Sequence, residues 1–248
     1  MSLQVLVLDG EQRSALAAVR SLGRAGLAVG VASSHPRPLA AASKHCVASF
    51  CYTDPAVSPD GFISSLGRHV AMLGDPVVMP MTDLTSTVIV DAADAFGQAR
   101  IAVPSASSFK ALSTKSELAK IAKQLSIPTP TTVEVTGSED IATALRTVRP
   151  PYVVKPALSK FWHAGKLVSE SVRYLETELE LRALVDSSSW TSSVPLLVQE
   201  QIQGSGRGIF AIYDHGRPLG WFAHQRLRER PPTGGVSVLS ESVEPDAL

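Results

Sequence analysis

The sequence predicts an α/β protein: a Rossmann-like doubly wound layer, then an α+β lobe, then the beginning of a further lobe. Three observations carry this. Over the first hundred residues short apolar runs alternate with segments of helical spacing. Residues 109–198 then mix strand and helix patterns around a proline-punctuated crossing, and residues 199–248 read as a hairpin. The corresponding domain limits are 1–108, 109–198 and 199–248.

Residues 3–8, LQVLVL, form an apolar run that stops at Asp9-Gly10. Leu16, Val19 and Leu22, with small Ala18 and Ala25, fall on one side of a helix that Gly26 closes. Residues 27–32 and 46–53 read as strands. Residues 60–73 place Phe62, Ile63, Leu66, Val70 and Leu73 on one helical side. A strand at 76–81, a helix at 85–96 and a short strand at 101–103 complete the βαβ alternation.

Thr114-Lys115-Ser116-Glu117 matches a capping box and opens a helix to about residue 125. Pro128 and Pro130 force the next stretch to be extended. Ser138 is placed to cap a helix over 139–148. Residues 152–156, YVVKP, and 167–172 are strands, 174–185 is a helix, and 186–193 is a polar loop around Trp190. The apolar strand LLVQEQIQG follows. Residues 209–213 and 219–228 then flank the turn Asp214-His215-Gly216-Arg217. Residues 244–248 resemble the first turn of a helix, so the expectation is a domain cut short, with a natural tail as the alternative.

The charges balance, 23 basic against 23 acidic residues with a pI near 7.0, which argues against nucleic acid as the main partner. No apolar run reaches the ~18 residues a bilayer crossing needs, and no signal peptide is visible, so a cytoplasmic protein with no membrane partner is expected. Cys46 and Cys51 would sit roughly 16 Å apart on an extended strand, beyond disulfide reach, and read as two small buried hydrophobes.

Lys155 is the most informative residue. An ammonium inside an otherwise buriable strand requires an anion, a carboxylate or a bound phosphate; the alternative is a stem that snorkels to the sheet edge. Lys115 sits where a helix dipole disfavours a cation unless an anion is also bound; otherwise it is a solvated surface lysine. Gln199-Glu200-Gln201-Ile202 offers polar groups and backbone at the end of an apolar strand, able to meet a purine edge or a sugar hydroxyl. Gly204, Gly206 and Gly208 form a GxGxG that precedes a strand, which is weak as a phosphate loop. Strand alternation puts His224, Arg226, Arg228 and Arg230 on one face as a basic row, or as charge protection of an edge strand. The backbone of Pro231–Gly235 offers an anion nest beside it. GxSxG, GxxxxGK[ST], HExxH and GxGxxG dinucleotide patterns are all missing.

In order along the chain, these elements resemble the ATP-grasp superfamily, most closely the carbamoyl-phosphate-synthase-like carboxylate–amine ligases. The resemblance rests on a βαβ layer, Lys115 followed by Pro128-Thr129-Pro130, YVVKP, LLVQEQIQG, the glycine-containing hairpin and RERPPTGGVSV. It implies a pre-ATP-grasp domain, a lid lobe and the first part of a second ATP-grasp lobe. It also implies ATP held by Lys115 and Lys155, with Ser159 and Lys160 beside the phosphates. Glu200 and the backbone of Gln201 and Ile202 would receive the adenine edge. Arg226 and Arg228, as the catalytic candidates, would face phosphate or an acyl phosphate. The implied chemistry activates a carboxylate as an acyl phosphate for attack by an amine or similar nucleophile.

Two features depart from that pattern. The loop PALSKFWHAGK lacks a run of glycines. The family's Mg²⁺ ligands, a glutamate and a later E-x-N pair, would fall beyond the hairpin, where this chain stops. No metal ligand is assigned here and turnover is expected to be low. A non-catalytic nucleotide-binding module is the alternative function, and a nucleotide-cofactor Rossmann enzyme a third that the missing GxGxxG disfavours. The uncovered apolar hairpin makes the second lobe a candidate for homodimerisation.

Overall fold

The computed structural model describes residues 2–230, 232 and 235–244. Contacts divide the chain into two compact units, Met1–Glu200 and Gln201–Leu248. Among the described residues no helix is long and apolar enough to cross a membrane.

The first unit begins with the expected alternation. Strand β1 (Val5–Val7) leads to helix α1 (Arg13–Arg24), strands β2 (Val29–Ser33) and β3 (Cys46–Cys51), helix α2 (Pro59–Met72), strand β4 (Val77–Met79) and helix α3 (Asp83–Asp91). The strands are parallel in the order β3-β2-β1-β4. β1 and β2 are buried throughout because apolar clusters cover the sheet on both sides: Leu6, Phe62, Leu66 and Ile89 in one, Val7, Val19, Val29 and Val31 in the other. Gly26 closes α1 at φ 86°, a left-handed position that costs glycine little. The helix expected over 85–96 ends at Asp91 and gives way to a 3₁₀ turn, Ala93–Phe96. Of the strand expected at 101–103, one parallel bridge remains, Ile101 to Val78.

The chain leaves β1 toward β2 on one side and returns through β3 to β4 on the other. The C-terminal ends of β1 and β4 therefore flank the topological switch point. Asp9 fills it. Its residue is buried and holds a left-handed φ of 54°. The carboxylate accepts from the Met81 N–H (2.8 Å), the Thr85 hydroxyl (2.7 Å) and the Tyr52 hydroxyl (3.0 Å). One side chain thus ties β1 to the residues after β3 and β4.

Helix α4 (Ala106–Ser113), which has no buried residue and no strong sequence signature, precedes α5 (Lys115–Gln124). The capping box predicted at the start of α5 does not form: Thr114 makes no side-chain cap, and Glu117 pairs with Lys120 at 2.7 Å instead. After the extended prolines come β5 (Thr132–Val135), helix α6 (Ile141–Thr147), β6 (Tyr152–Pro156), the hairpin β7 (Lys160–His163) and β8 (Lys166–Ser169), β9 (Arg173–Leu175), helix α7 (Glu178–Ser187) and β10 (Leu196–Glu200). Ser138 caps nothing. It begins a 3₁₀ turn, while Asp140 holds the Thr136 N–H at 2.8 Å. The last helix starts four residues later than expected, because Thr177 and Glu180 form a reciprocal capping box and residues 173–175 pair as a strand. The loop around Trp190 is not a solvated one: Ser188, Trp190, Thr191 and Val194 are buried, with Trp190 packed against Phe161.

These strands form an antiparallel sheet ordered β5-β10-β6-β9. One face, with Val135, Tyr152, Val154, Leu196 and Val198, joins the core beneath α6 and α7. Register places Glu134, Leu197 and Lys155 in a row on the other face. The cysteines need correction. Burial alternates along the edge strand β3, so Cys46 is half-buried and Cys51 exposed, both as free thiols.

In the second unit β11 (Arg207–Asp214), β12 (Arg217–Arg230) and β13 (Val236–Val243) form an antiparallel meander. The predicted turn is present, with positive φ at His215 (47°) and Gly216 (79°), as a two-residue primed turn requires. Phe210, Ile212, Leu219 and Trp221 are exposed, as the uncovered hairpin implied. Three residues of the candidate anion nest, Pro231, Thr233 and Gly234, and residues 245–248 of the helical turn read at 244–248 lie outside the described residues.

Asp9→Ala is expected to destabilise the fold by about 2–4 kcal/mol, since it strands two buried hydroxyls and an N–H at once. Urea unfolding followed by circular dichroism measures this. A loss below about 1 kcal/mol would mean that Asp9 is not the tie between β1 and β4.

Candidate functional site

Lys155 lies on β6 with its backbone inside the sheet and its side chain on the face away from the lobe core. The β6 pattern is buried at Tyr152, Val154 and Pro156 and half-buried at Val153 and Lys155, so strand alternation alone turns the ammonium to that face. Lys115 reaches the same place from the first turn of α5, whose start is stitched to the end of β6 by the Lys115 N–H donating to the Ala157 carbonyl at 3.0 Å. Its ammonium donates to Ser159 Oγ at 2.9 Å.

The electrostatics follow from this meeting. Burial pushes the Lys155 pKa below that of an ordinary lysine, and the neighbouring Lys115 charge lowers it further. Burial also lowers Lys115, opposed by the Asp83 carboxylate at the start of α3. Neither lysine takes part in an ion pair among the described residues. Two half-buried ammonium groups near one another, one of them bound to a hydroxyl, form a cradle for an anion.

Of the residues singled out from sequence, Lys115, Lys155 and Ser159 come together. Lys160 is exposed at the start of β7, next to Ser159. Glu200 ends β10 and works structurally: its carboxylate accepts the Thr131 N–H at 2.7 Å, and its own N–H donates to the Thr131 carbonyl at 3.1 Å. The backbone of Gln201 and Ile202 begins the second unit.

Within that second unit the basic row does not survive. Arg226 is opposite Ser240 and Arg228 opposite Leu239, adjacent residues of β13, so a bulge at Leu227 breaks the alternation that would align the two arginines. Arg226 pairs with Glu229 at 3.2 Å, three positions on. His224 is buried and stacks with Phe210 and Phe222 at ring-centroid distances of 5.2 and 6.4 Å. The glycines serve this packing: a Cβ on Gly208 would stand 2.7 Å from the His224 ring, and one on Gly206 equally close to the Arg226 stem.

Sequence reading missed Asp83, whose only signal is its position just after β4, at the carboxyl ends of the parallel strands where α/β ligand sites form. It also missed Trp162 and Leu84, discussed below.

The chain shares its fold with solved structures of low sequence identity. One is the L-amino acid ligase from Bacillus licheniformis (TM-score 0.65, 14% identity, 98% of this chain and 55% of that one). Others are the ADP complex of purK, N5-carboxyaminoimidazole ribonucleotide synthetase (0.66, 12%, 98% and 58%), and the biotin carboxylase–β-γ-ATP complex from Campylobacter jejuni (0.64, 15%, 92% and 52%). The chain thus spans just over half the length of these neighbours. No family model matches the sequence, and a search of curated proteins gives no match.

Removing one charge of the pair isolates the coupling. In Lys115→Ala the pKa of Lys155 is expected to rise, as read by NMR titration of ¹³C-methylated lysines. An unchanged Lys155 titration would show that the two ammonium groups do not sense one another.

Proposed function

We propose that this chain binds ATP through its first unit and belongs to a ligase that activates a carboxylate for attack by an amine or similar nucleophile. The observation that carries the proposal is the meeting of Lys115 and Lys155. Two desolvated like charges are unfavourable without an anion and become a phosphate clamp with one. The fold supports it, since two of the neighbours named above are complexes with ADP or an ATP analogue. Lys115 and Lys155 would hold phosphate oxygens, with Ser159 and Lys160 at the flank. Arg226 and Arg228 carry no role in the proposal.

The reaction bonds a substrate carboxylate oxygen to the γ-phosphorus while ADP leaves with the electron pair of the broken P–O bond. The nucleophile nitrogen then attacks the acyl carbon, phosphate departs and nitrogen releases a proton. Fixed ammonium groups in a half-buried site favour the charge that builds on the transferring phosphoryl oxygens. Among the described residues no group of three or more His, Cys, Asp or Glu is placed to hold a metal ion. No step is drawn through the Mg²⁺ the resemblance implies. A second reading is a module that binds nucleotide without turnover; ADP release with candidate acid and amine pairs separates the two. Reliance on ATP supports a cytoplasmic setting.

Calorimetry with a non-hydrolysable ATP analogue tests the clamp. Lys155→Ala should weaken binding by about tenfold or more, the scale of a charge-assisted hydrogen bond, and unchanged affinity would refute the proposal. Affinity should also fall as pH rises through the lowered lysine values, with proton uptake on binding in that window. Without ligand the sign reverses. Between the lowered values and the ordinary lysine pKa the unfolded chain holds more protons, so stability there increases with pH.

The proposal extends to self-association through the exposed hairpin face of the second unit. Sedimentation velocity should show a concentration-dependent dimer that Phe210→Ser with Phe222→Ser, a cross-strand pair on one face, abolishes, and a wild-type monomer at all concentrations would exclude it.

A further inference from the structure

Beside the Lys115–Ser159 hydrogen bond lies a cavity of about 210 Å³, entirely within the first unit. Its walls come from three sources that the chain order does not suggest: Leu84 on α3, Phe109 on α4, and Leu158 with the β7–β8 hairpin. In that hairpin Trp162 is directly opposite Leu167, and both line the cavity. Phe161 and Val168, the neighbouring cross-strand pair, pack against the lobe core, and Phe161 also borders the cavity. Alternation therefore leaves a tryptophan–leucine pair pointing away from the core, with Trp162 still 39% exposed.

Polar groups also line the cavity. Ser159 is at once cavity wall and hydrogen-bond partner of Lys115. Lys160 and Asp83 also line the cavity, and Asp83 acts electrostatically on Lys115. A small, largely apolar chamber whose wall carries Lys160 and the Ser159 hydroxyl held by Lys115 suits a molecule with an apolar body and an anionic head. The volume equals that of about seven water molecules in the liquid. This is room for a side chain of leucine or phenylalanine size, and below the range of drug-sized ligand pockets.

We propose that this cavity is the acid subsite, and that the carboxylate activated beside Lys115 carries a compact apolar or aromatic side chain seated between Trp162, Leu167, Leu84 and Phe109. The inference rests on the ATP-ligase reading and specifies its substrate. Asp83 stands where an α-ammonium group would meet it, so an apolar amino acid and a plain apolar acid share the required chemistry, and the experiment distinguishes them.

The test titrates the full chain with 3-phenylpropionate, L-phenylalanine, L-leucine, L-glutamate and adenosine, following tryptophan fluorescence and calorimetry. The apolar acids should bind at least tenfold more tightly than glutamate. They should quench a signal that Trp162→Phe removes, although Trp190 and Trp221 remain. Thr87→Trp, which fills the cavity from the exposed side of α3, should weaken the apolar acids tenfold or more; its circular dichroism melt confirms folding. Tighter binding of phenylalanine than of phenylpropionate, abolished in Asp83→Asn, assigns the substrate as an amino acid, whereas equal binding assigns a plain acid. Equal affinity for glutamate, indifference to Thr87→Trp, or a cavity that takes adenosine in place of the acids would each overturn the proposal. The ATP-analogue titration of the same samples judges the nucleotide reading separately, so loss of one leaves the other readable.

Discussion

Everything chemical in the first unit depends on two ammonium groups being held half out of water near one another. Left alone, each would favour solvent, and together they repel. The fold overrides that preference with cheap, local means. Strand alternation turns Lys155 off the core face, and a backbone hydrogen bond from Lys115 to Ala157 pins the start of α5 against the end of β6. Ser159 and Asp83 relieve Lys115 but not Lys155, whose proton affinity is lowered both by burial and by its neighbour. An arrangement kept under electrostatic strain is a functional signature when a ligand of opposite charge relieves it.

The sheet that carries Lys155 has two unequal faces. Val154, Val198 and Val135 knit one face into the core, whereas the row Glu134–Leu197–Lys155 crosses three strands on the other. A cavity of about 530 Å³ lies at the β5 end of that face, bordered by Lys120, Lys123 and Glu134. It is roomier than the chamber at Trp162 but lacks the clamp: Lys120 is solvent-exposed and already paired with Glu117. Volume alone does not select a site; proximity of uncompensated charge to enclosed apolar surface does.

Much of the architecture was legible because it follows from period and punctuation. The parallel layer shows in buried runs such as residues 5–7, the first helix stop in Gly26, and the hairpin in the His215-Gly216 turn. Lys115 and Lys155 were legible as anomalies, charges set where local rules disfavour them. What failed depended on non-local pairing. No pattern in residues 224–230 announces the bulge at Leu227 that separates Arg226 from Arg228, nor the burial of His224 against two phenylalanines. The capping box at Thr114 was a sound local reading overruled by the docking of the helix start onto Ala157. Asp83 was invisible because a carboxylate in a first helical turn is ordinary, and only tertiary proximity to Lys115 gives it meaning.

The placement of Trp162 also bears on the chemistry. A hairpin that merely shielded phosphates would gain from glycine backbone, and this one instead carries a large ring, a leucine and a lysine on the face turned from the core. Apolar surface beside a charged clamp excludes water, and each remaining electrostatic contact strengthens as the local dielectric falls. In the proposed reaction it would also protect an activated acyl group from hydrolysis before a nucleophile arrives. The side chains that stand where glycines were expected make the loop a wall with chemical preference, and under the proposed reading selectivity for the acid would reside in the β7–β8 hairpin.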